Sequence, residues 1–282
     1  MIGGVVEKRK MMVCAAVAAV LVAAAVVYYL FFMRGSGSSI AKLDDQEVSP
    51  ALMSQLYSIA NNGTLSDEIG IGTVTLDLLP VANASALVEN GKPAIVYVGS
   101  DACPFCAITR WGLVIALMRF GNFTGLRYMT SSASDIYANT ATFTFYNSSY
   151  YSALLGFEAA ELSTNDGKPL QTPNWIENAT LGRYNLNNSE VPEDARGSIP
   201  FTDFANRSIL VGAVVSPQVV SKMDWVEITA ALHNSSSPVA QAIIGSADAF
   251  TAYICASNAS LRSSAACNQG YIANVRLPNQ RA

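Results

Sequence analysis

The sequence is poor in charged side chains. Only 13% of its 282 residues are Asp, Glu, Lys or Arg, about half the usual share in globular proteins, whereas 51% are hydrophobic. This composition excludes a chain that is disordered throughout, because it has enough apolar surface to fill a core. The net charge of −4 excludes nucleic acid as the default partner, since binding to phosphates requires a basic surface.

The sequence is also nearly devoid of histidine. Its single histidine, His233, is expected at a helix end and excludes a zinc site built from two cysteines and two histidines. Cys103 and Cys106 are separated by two residues, but eleven residues lie between Cys255 and Cys267, which is too many for a second zinc-binding knuckle. We therefore expect neither a metal ion nor a cofactor.

A long uncharged run lies near the N-terminus. Residues 11–33 can cross the hydrocarbon core of a bilayer as a helix, and residues 8–10, Lys-Arg-Lys, precede them. By the positive-inside rule, residues 1–10 form a cytoplasmic tail. A cleaved signal peptide is the alternative, but its apolar region is usually only about 7–15 residues long. The sequence thus predicts a single-pass anchor in the cell membrane, a linker at 34–48, and one extracytoplasmic domain at 49–282.

Nine Asn-X-Ser/Thr triplets follow the uncharged run. In an exported domain each of them is a candidate N-glycan acceptor, although a chain rich in Asn, Ser and Thr also produces such triplets by chance. The triplets begin at Asn62, Asn83, Asn122, Asn147, Asn178, Asn187, Asn206, Asn234 and Asn258.

Cys103 and Cys106 form a Cys-Pro-Phe-Cys motif between a predicted strand and a predicted helix. Residues 94–98 are apolar and rich in β-branched side chains, which is typical of a buried strand, and apolar residues then recur at helical spacing up to residue 118. Cys103 is therefore expected at the start of the helix, where free backbone N–H groups and the helix dipole stabilise a thiolate. Cys106, one turn later, can close a disulfide with Cys103 or resolve a mixed disulfide. The pattern predicts a thioredoxin-like redox centre.

The rest of the chain is interpreted around this motif. Residues 126–130 are predicted to be a second strand that completes a βαβ unit. The runs 197–204 and 208–215, separated by residues 205–207, are predicted to form a hairpin. Thioredoxin-like proteins place a cis-proline before such a hairpin, facing the dithiol, and this likeness gives that role to Pro200. The stretch 131–196 is predicted to be an aromatic-rich insertion, serving as a lid, a client-binding face or simply extra core.

Helices are predicted before the dithiol motif and after the predicted hairpin. One covers Ser49–Asn61, with Ser49 as its cap, and two more cover 225–232 and 239–256, the last one interrupted by Gly245. Cys255 would end the last helix. Its predicted disulfide with Cys267 is interpreted as a structural staple, and a second, shuttling disulfide is the alternative.

The sequence resembles a known family in several segments: residues 90–93, the motif at 103–106, the Arg-Trp helix at 110–117, residues 119–123, 131–135 and 142–146, and the late cysteine pair. They are similar to an archaeal, membrane-anchored, thioredoxin-related family known only as domain of unknown function 929. The resemblance covers most of residues 49–270. It implies an α/β, thioredoxin-like fold outside the cytoplasm, with an insertion and extra C-terminal helices, and it implies no reaction.

The functional hypothesis comes from the dithiol. We expect a membrane-tethered thiol–disulfide oxidoreductase in which Cys103 is the nucleophile, Cys106 resolves the mixed disulfide and Pro200 shapes the client groove. Its partners would be the lipid bilayer, client proteins with cysteines and a membrane redox protein. The alternative is a non-catalytic subunit of a membrane or cell-surface complex, in which both cysteine pairs are permanent disulfides.

Overall fold

The computed structural model describes residues 40–76, 78–275 and 277. The predicted tail at 1–10 and the predicted anchor at 11–33 lie outside the described residues, as does the first part of the predicted linker. The dithiol motif, the late cysteine pair and all nine glycosylation triplets lie within them.

The described chain is a mixed α/β domain. Its helices are α1 (Pro50–Ala60), α2 (Gly63–Ile69), α3 (Pro104–Met118), α4 (Trp175–Leu181), α5 (Trp225–Leu232), α6 (Pro238–Ser257) and α7 (Gly270–Asn274). Its strands are β1 (Leu79–Pro80), β2 (Val88–Glu89), β3 (Lys92–Gly99), β4 (Asn122–Thr124), β5 (Arg127–Thr130), β6 (Ala141–Thr144), β7 (Ser149–Tyr151), β8 (Gly156–Glu161), β9 (Phe201–Phe204) and β10 (Ser208–Val211).

The central strand is β3, and it belongs to a mixed six-stranded sheet. It pairs in parallel with β8 on one side and antiparallel with β9 on the other, and β10 and β1 continue the sheet beyond β9. β2 pairs only with the first two residues of β3. The predicted hairpin is confirmed as β9 and β10.

The side chains of β3 are buried on both faces of the sheet. Ile95 and Tyr97 face the large core formed with α1, α3, α5 and α6, whereas Val96 and Val98 face a second core that includes residues of α4. This alternation follows from the two-residue period of a strand. The continuous apolar run thus becomes the middle layer between two apolar cores.

A βαβ unit with two parallel strands is present, as predicted, but its second strand is not the predicted one. Residues 127–130 pair antiparallel with β6 in a separate ribbon, and the parallel partner of β3 is β8, which lies within the stretch predicted to be an insertion. The sequence indicates a candidate strand at 152–158, which overlaps the first half of β8. β8 itself reads Gly-Phe-Glu-Ala-Ala-Glu, residue types with low strand propensity apart from the phenylalanine, so its sequence does not indicate that it is the parallel partner of β3. Contacts across the sheet, not local propensity, determine where it pairs.

The helix predictions hold with one correction. α1 begins after Ser49, whose side chain caps it, and α5 ends at His233. α6 is not interrupted at Gly245: a Cβ added there would lie 2.4 Å from the Ile71 carbonyl oxygen. Gly245 therefore marks a close approach of two backbone segments, not a break.

α6 is also the one described helix that is long and apolar enough to cross a membrane, but 89% of its most apolar window is buried inside the fold. It packs lengthwise on α3, where Gly112 lies against Ser246 and Phe250. These contacts identify it as a core helix of the domain. It is therefore no substitute for the predicted N-terminal anchor.

Two links join α6 to other elements. Arg119, directly after α3, forms a buried 2.6 Å ion pair with Asp248 and donates to the Ala60 carbonyl oxygen at the end of α1. Cys255 forms a disulfide with Cys267 that ties the end of α6 to the short 3₁₀ helix Ala266–Asn268. The predicted pairing of these two cysteines is confirmed.

Candidate functional site

The dithiol lies where β3 passes into α3. Cys103 is the N-cap residue of α3, and the backbone N–H of Cys106 donates a hydrogen bond to its Sγ at 3.2 Å. Pro104 occupies the first helical position, where the absence of an N–H group has no cost. Cys103 is partly accessible and Cys106 is completely buried. The two thiols are free, so this is the dithiol form of the site, and the Cys103–Cys106 disulfide of the oxidised form stays a prediction.

The surroundings of the two sulfur atoms give them different acidities. The hydrogen bond between the side chains of Cys103 and Cys106, helped by the N–H of Cys106 and the positive charge of Arg110, lowers the pKa of Cys103 to about 7. Burial raises the pKa of Cys106 well above its ordinary value, and the neighbouring Cys103 raises it further. The accessible sulfur is therefore the better nucleophile near neutral pH, and the buried sulfur keeps its proton.

A buried ionic cluster of Arg110, Glu161, Asp101 and Tyr97 lies near Cys106. Arg110 Nη1, on α3, is 2.8 Å from Glu161 Oε2 at the end of β8 and 3.4 Å from Asp101 Oδ1, and it donates to the hydroxyl of Tyr97. All four side chains are buried. Burial raises the pKa of Glu161 to about 8 and outweighs the opposing effect of Arg110. One guanidinium thus serves two carboxyl groups, and burial favours a proton on one of them.

Sequence reasoning missed this cluster. Arg110 occurs in the middle of a helix that is otherwise almost wholly apolar, and an arginine in such a place requires a buried partner. That signal indicates the existence of a carboxylate. It does not identify Glu161, which reaches Arg110 only through the pairing of β8 with β3.

Pro200 lies beside the dithiol. The Ile199–Pro200 peptide bond is cis, and the Ile199 carbonyl oxygen is 4.0 Å from Cys103 Sγ. Pro200 directly precedes β9, which is the antiparallel neighbour of β3, and its own carbonyl oxygen accepts a hydrogen bond from Gly212 N–H. The sheet therefore brings residues 103 and 199–200 together, although nearly a hundred residues separate them in sequence.

The surface beside the dithiol motif carries exposed apolar side chains. Phe105 is 40% exposed and makes an edge-to-face contact with Tyr137, with 6.0 Å between ring centroids, and Ile136 next to it is highly exposed. On the other side, Phe105 borders an open groove of about 400 Å³. The other lining residues are Thr75, Leu210, Val211, Ala213, Val214, Val215 and Ser216.

The predicted aromatic-rich insertion divides between this surface and the core. Tyr137 lies beside the dithiol motif, whereas Tyr150 and Phe157 pack with Phe123 in an aromatic cluster. Of the three roles predicted for the insertion, extra core therefore describes Tyr150 and Phe157. Within the described residues, no group of three or more His, Cys, Asp or Glu side chains is placed to hold a metal ion.

None of the nine triplet asparagines is buried. Seven are exposed, and Asn206 and Asn258 are partly exposed. Two of them lie away from Cys103. Asn206 occupies the β9–β10 turn, next to the start of β3, and Asn122 follows the far end of α3.

The geometry defines a mixed α/β domain with an asymmetric dithiol at the N-terminus of a core helix. A family described as Domain of unknown function (DUF929) matches residues 80–256, and the chain belongs to this family. The matched segment contains both thiols, Pro200, Arg110 and Glu161. No curated protein and no solved structure matches the chain.

Proposed function

We propose that this protein is a membrane-tethered, extracytoplasmic thiol–disulfide oxidoreductase with a thioredoxin-like fold. The observation that carries the proposal is the asymmetry of the dithiol: an accessible Cys103 at a helix N-terminus, with a pKa of about 7, beside a buried Cys106 whose pKa is raised. The fold proposal is supported by the parallel β3–α3–β8 unit and by the hairpin that follows the cis Ile199–Pro200 bond. An archaeal origin, which the resemblance implies, stays a prediction.

In the reductive direction, the Cys103 thiolate attacks one sulfur of a client disulfide. A bond forms between Cys103 Sγ and that sulfur, the client S–S bond breaks, and the second client sulfur leaves as a thiolate that takes up a proton. The partial exposure of Cys103 permits this attack, whereas Cys106 is inaccessible to a client. The product is a mixed disulfide.

Cys106 completes the exchange. It loses its proton and attacks Cys103 Sγ, which forms the Cys103–Cys106 bond and releases the first client sulfur as a thiolate. The client has then gained two electrons, and the dithiol has lost them. The same steps in reverse would oxidise a client. In either direction, a membrane redox protein must restore the starting state, and the sulfur atoms perform the chemistry without a cofactor.

The buried cluster is suited to control the proton of Cys106. Arg110 favours the thiolate of Cys106, and the charge of Glu161 opposes it. Protonation of Glu161 therefore makes Cys106 easier to ionise, and ionisation of Glu161 makes it harder. We assign Glu161 and Arg110 as positioning residues that act through Cys106.

Pro200 and the apolar surface beside it would receive the client. The groove bordered by Phe105 and residues 213–215 has no charged side chain in its lining, which suits an extended segment without charged residues next to its cysteine. The proposed role of Pro200 in receiving the client is supported by the cis bond to Ile199, whose carbonyl oxygen lies 4.0 Å from Cys103 Sγ. The groove would then select clients by their apolar character.

The direct test is turnover of a disulfide substrate by the full-length protein in membranes. Cys103→Ser should abolish turnover, and Cys106→Ser should accumulate a mixed disulfide that non-reducing electrophoresis detects. The double variant Cys255→Ala/Cys267→Ala, compared per folded molecule, is the control that removes cysteines outside the motif and leaves no new free thiol. A wild type without turnover would favour the non-catalytic subunit, and turnover that is unchanged in Cys103→Ser would remove Cys103 from the mechanism.

The proposal also includes the membrane topology of the chain and its glycosylation. Residues 11–33 would anchor the chain with residues 1–10 in the cytoplasm, and the domain would carry glycans at some of its nine triplets. The surface position of every triplet asparagine supports this arrangement. Protease treatment of sealed cells tests it: the domain is expected to be digested while the N-terminal tail is protected.

A further inference from the structure

For eight of the nine triplet asparagines, the local structure explains why an asparagine stands at that position. Five of them hydrogen-bond neighbouring backbone at helix ends or turns, a role that favours asparagine without any modification. These are Asn62, Asn178, Asn187, Asn234 and Asn258. Three others occupy the left-handed backbone region, which asparagine tolerates better than most residues. These are Asn83, Asn147 and Asn206, with φ angles between 55° and 59°.

Asn122 has neither explanation. It lies in strand β4 and is exposed, and its side-chain amide makes no hydrogen bond to any residue that the structure describes. Asparagine is depleted in strands, so backbone propensity does not favour it there. Thr124, the third residue of its triplet, is also exposed, and it lies on the same face because side chains two residues apart in a strand point the same way. Both side chains of the triplet can therefore be reached from outside.

Tyr151 lies directly opposite Asn122. The two residues are register partners in the β4–β7 ribbon, so their Cβ atoms are about 5 Å apart on one face. The exposed fraction of the Tyr151 side chain is 62%, whereas the adjacent Tyr150 packs into the aromatic core. A large exposed aromatic ring beside a free asparagine amide is the surface on which a sugar attached to that amide would lie.

Tyr151 also forms part of a cleft of about 450 Å³ near the start of β3. The cleft is rich in groups that hydrogen-bond hydroxyls, namely the carboxyl groups of Glu89 and Glu158, the Asn90 amide and the Lys92 ammonium. A sugar chain that leaves Asn122 and crosses Tyr151 would reach these groups. The cleft is remote from the dithiol, because Cys103 and Asn122 lie at opposite ends of α3, a helix roughly 20 Å long.

We infer that Asn122 is an N-glycan acceptor, that Tyr151 packs against its first sugar, and that the cleft beyond Tyr151 holds the following sugars. The donor is a lipid-phosphate-linked oligosaccharide. The bond between the anomeric carbon of the sugar and the phosphate oxygen breaks, a bond from that carbon to Asn122 Nδ2 forms, one amide proton is lost, and the lipid phosphate leaves. This inference rests on the extracytoplasmic location in the proposed function and not on the activity of the dithiol.

The test uses the full chain, produced in a host that N-glycosylates exported proteins. Thr124→Ala removes the triplet without changing Asn122, and Thr124→Ser is the matched control that keeps it. Glycopeptide mass spectrometry should find a glycan on Asn122 in the wild type and in Thr124→Ser, and none in Thr124→Ala. An unmodified Asn122 beside occupied triplets elsewhere would overturn the inference.

The contact with Tyr151 is tested by combining these variants with Tyr151→Ala. Loss of the glycan should lower the melting temperature by about 2–4 °C when Tyr151 is present, and this difference should disappear in Tyr151→Ala. An equal difference in both backgrounds would overturn the packing on Tyr151. Thiol exchange, measured on the same preparations, separates the two proposals: a glycosylated Asn122 with an inert dithiol leaves this inference intact and refutes the oxidoreductase. If no triplet is modified, the inference and the proposed location fail together.

Discussion

At the scale of single residues, position determines which sulfur reacts. Cys103 and Cys106 are the same residue type three positions apart, yet one caps a helix at the surface and the other lies within the core. The first turn of α3 supplies an N–H donor to Cys103 Sγ, whereas burial in the core keeps water away from Cys106 and raises its pKa. The division of labour between nucleophile and resolving thiol follows from this difference.

The acidity of Cys103 gives the first prediction. Because its pKa is about 7, the rate of Cys103 alkylation by iodoacetamide should rise with pH with a midpoint near 7. At pH 7 the thiolate fraction should be more than ten times that of an unperturbed cysteine. Peptide mass spectrometry after timed alkylation measures this rate, and the Cys103→Ser variant supplies the background. A midpoint between 8.5 and 9 would contradict the account.

Glu161 gives a second prediction. Its pKa is raised to about 8, so near pH 7 Glu161→Gln resembles the protonated side chain and should keep turnover within about threefold of wild type. Above pH 8 the wild-type carboxylate opposes ionisation of Cys106, and the variant should then resolve mixed disulfides faster than wild type.

The measurement is the pH profile of single-turnover release from the mixed disulfide. Glu158→Gln is the matched control, since Glu158 lies on the same strand and its pKa is also raised, to about 7, but it faces Glu89 and Asn174. Its profile should coincide with that of wild type. Identical profiles for Glu161→Gln and wild type would remove Glu161 from the mechanism.

At the scale of secondary-structure elements, local patterns predict the strand and the helix that flank the dithiol, but they do not predict the elements that pack against them. The β-branched run of β3, the Pro after Cys103 and the helical spacing of α3 are local signals, and each one gives the correct element. The parallel partner of β3 has no such signal, because β8 owes its place to contacts with residues sixty positions earlier. For the same reason Glu161 could not be identified as the partner of Arg110.

Gly245 shows how a local rule can mislead. Glycine normally weakens a helix interior, and this rule predicts an interruption of α6. The helix nevertheless continues through Gly245, and the glycine is needed because the Ile71 carbonyl oxygen occupies the space that a side chain would take. A sequence alone does not show such a tertiary contact.

This contact gives a third prediction. Gly245→Ala should destabilise the domain by about 1–3 kcal/mol, because the added methyl group must displace backbone. Gly182→Ala is the matched control: Gly182 has helical φ and ψ angles and no atom within 4 Å of an added Cβ, so the change should be neutral or slightly stabilising. Urea unfolding of the domain from residue 40 onward measures both variants. Equal effects would contradict the interpretation of Gly245.

At the scale of the whole molecule, the two cysteine pairs occupy different settings. Cys103 and Cys106 lie at the junction of β3 and α3, whereas Cys255 and Cys267 close a short C-terminal loop at the end of α6. The position of the second pair is that of a structural staple. We therefore expect it to contribute to stability and not to turnover.

The fourth prediction separates the staple from the shuttle. The double variant Cys255→Ala/Cys267→Ala should lower the free energy of unfolding by about 3 kcal/mol, as the chain-entropy account gives for a loop of this size. Turnover per folded molecule should be unchanged. Chemical denaturation and the turnover assay at low temperature measure the two quantities. Loss of turnover with unchanged stability would identify the pair as a relay.

The central claim is that the Cys103–Cys106 pair exchanges electrons with clients. The most direct measurement is a redox titration of the domain lacking residues 1–34, with differential alkylation and peptide mass spectrometry reporting each cysteine at defined potentials. We predict that Cys103 and Cys106 titrate reversibly between roughly −270 and −120 mV, while Cys255 and Cys267 stay oxidised. If the Cys103–Cys106 pair stays oxidised below about −300 mV, it is a structural disulfide and the oxidoreductase account is wrong.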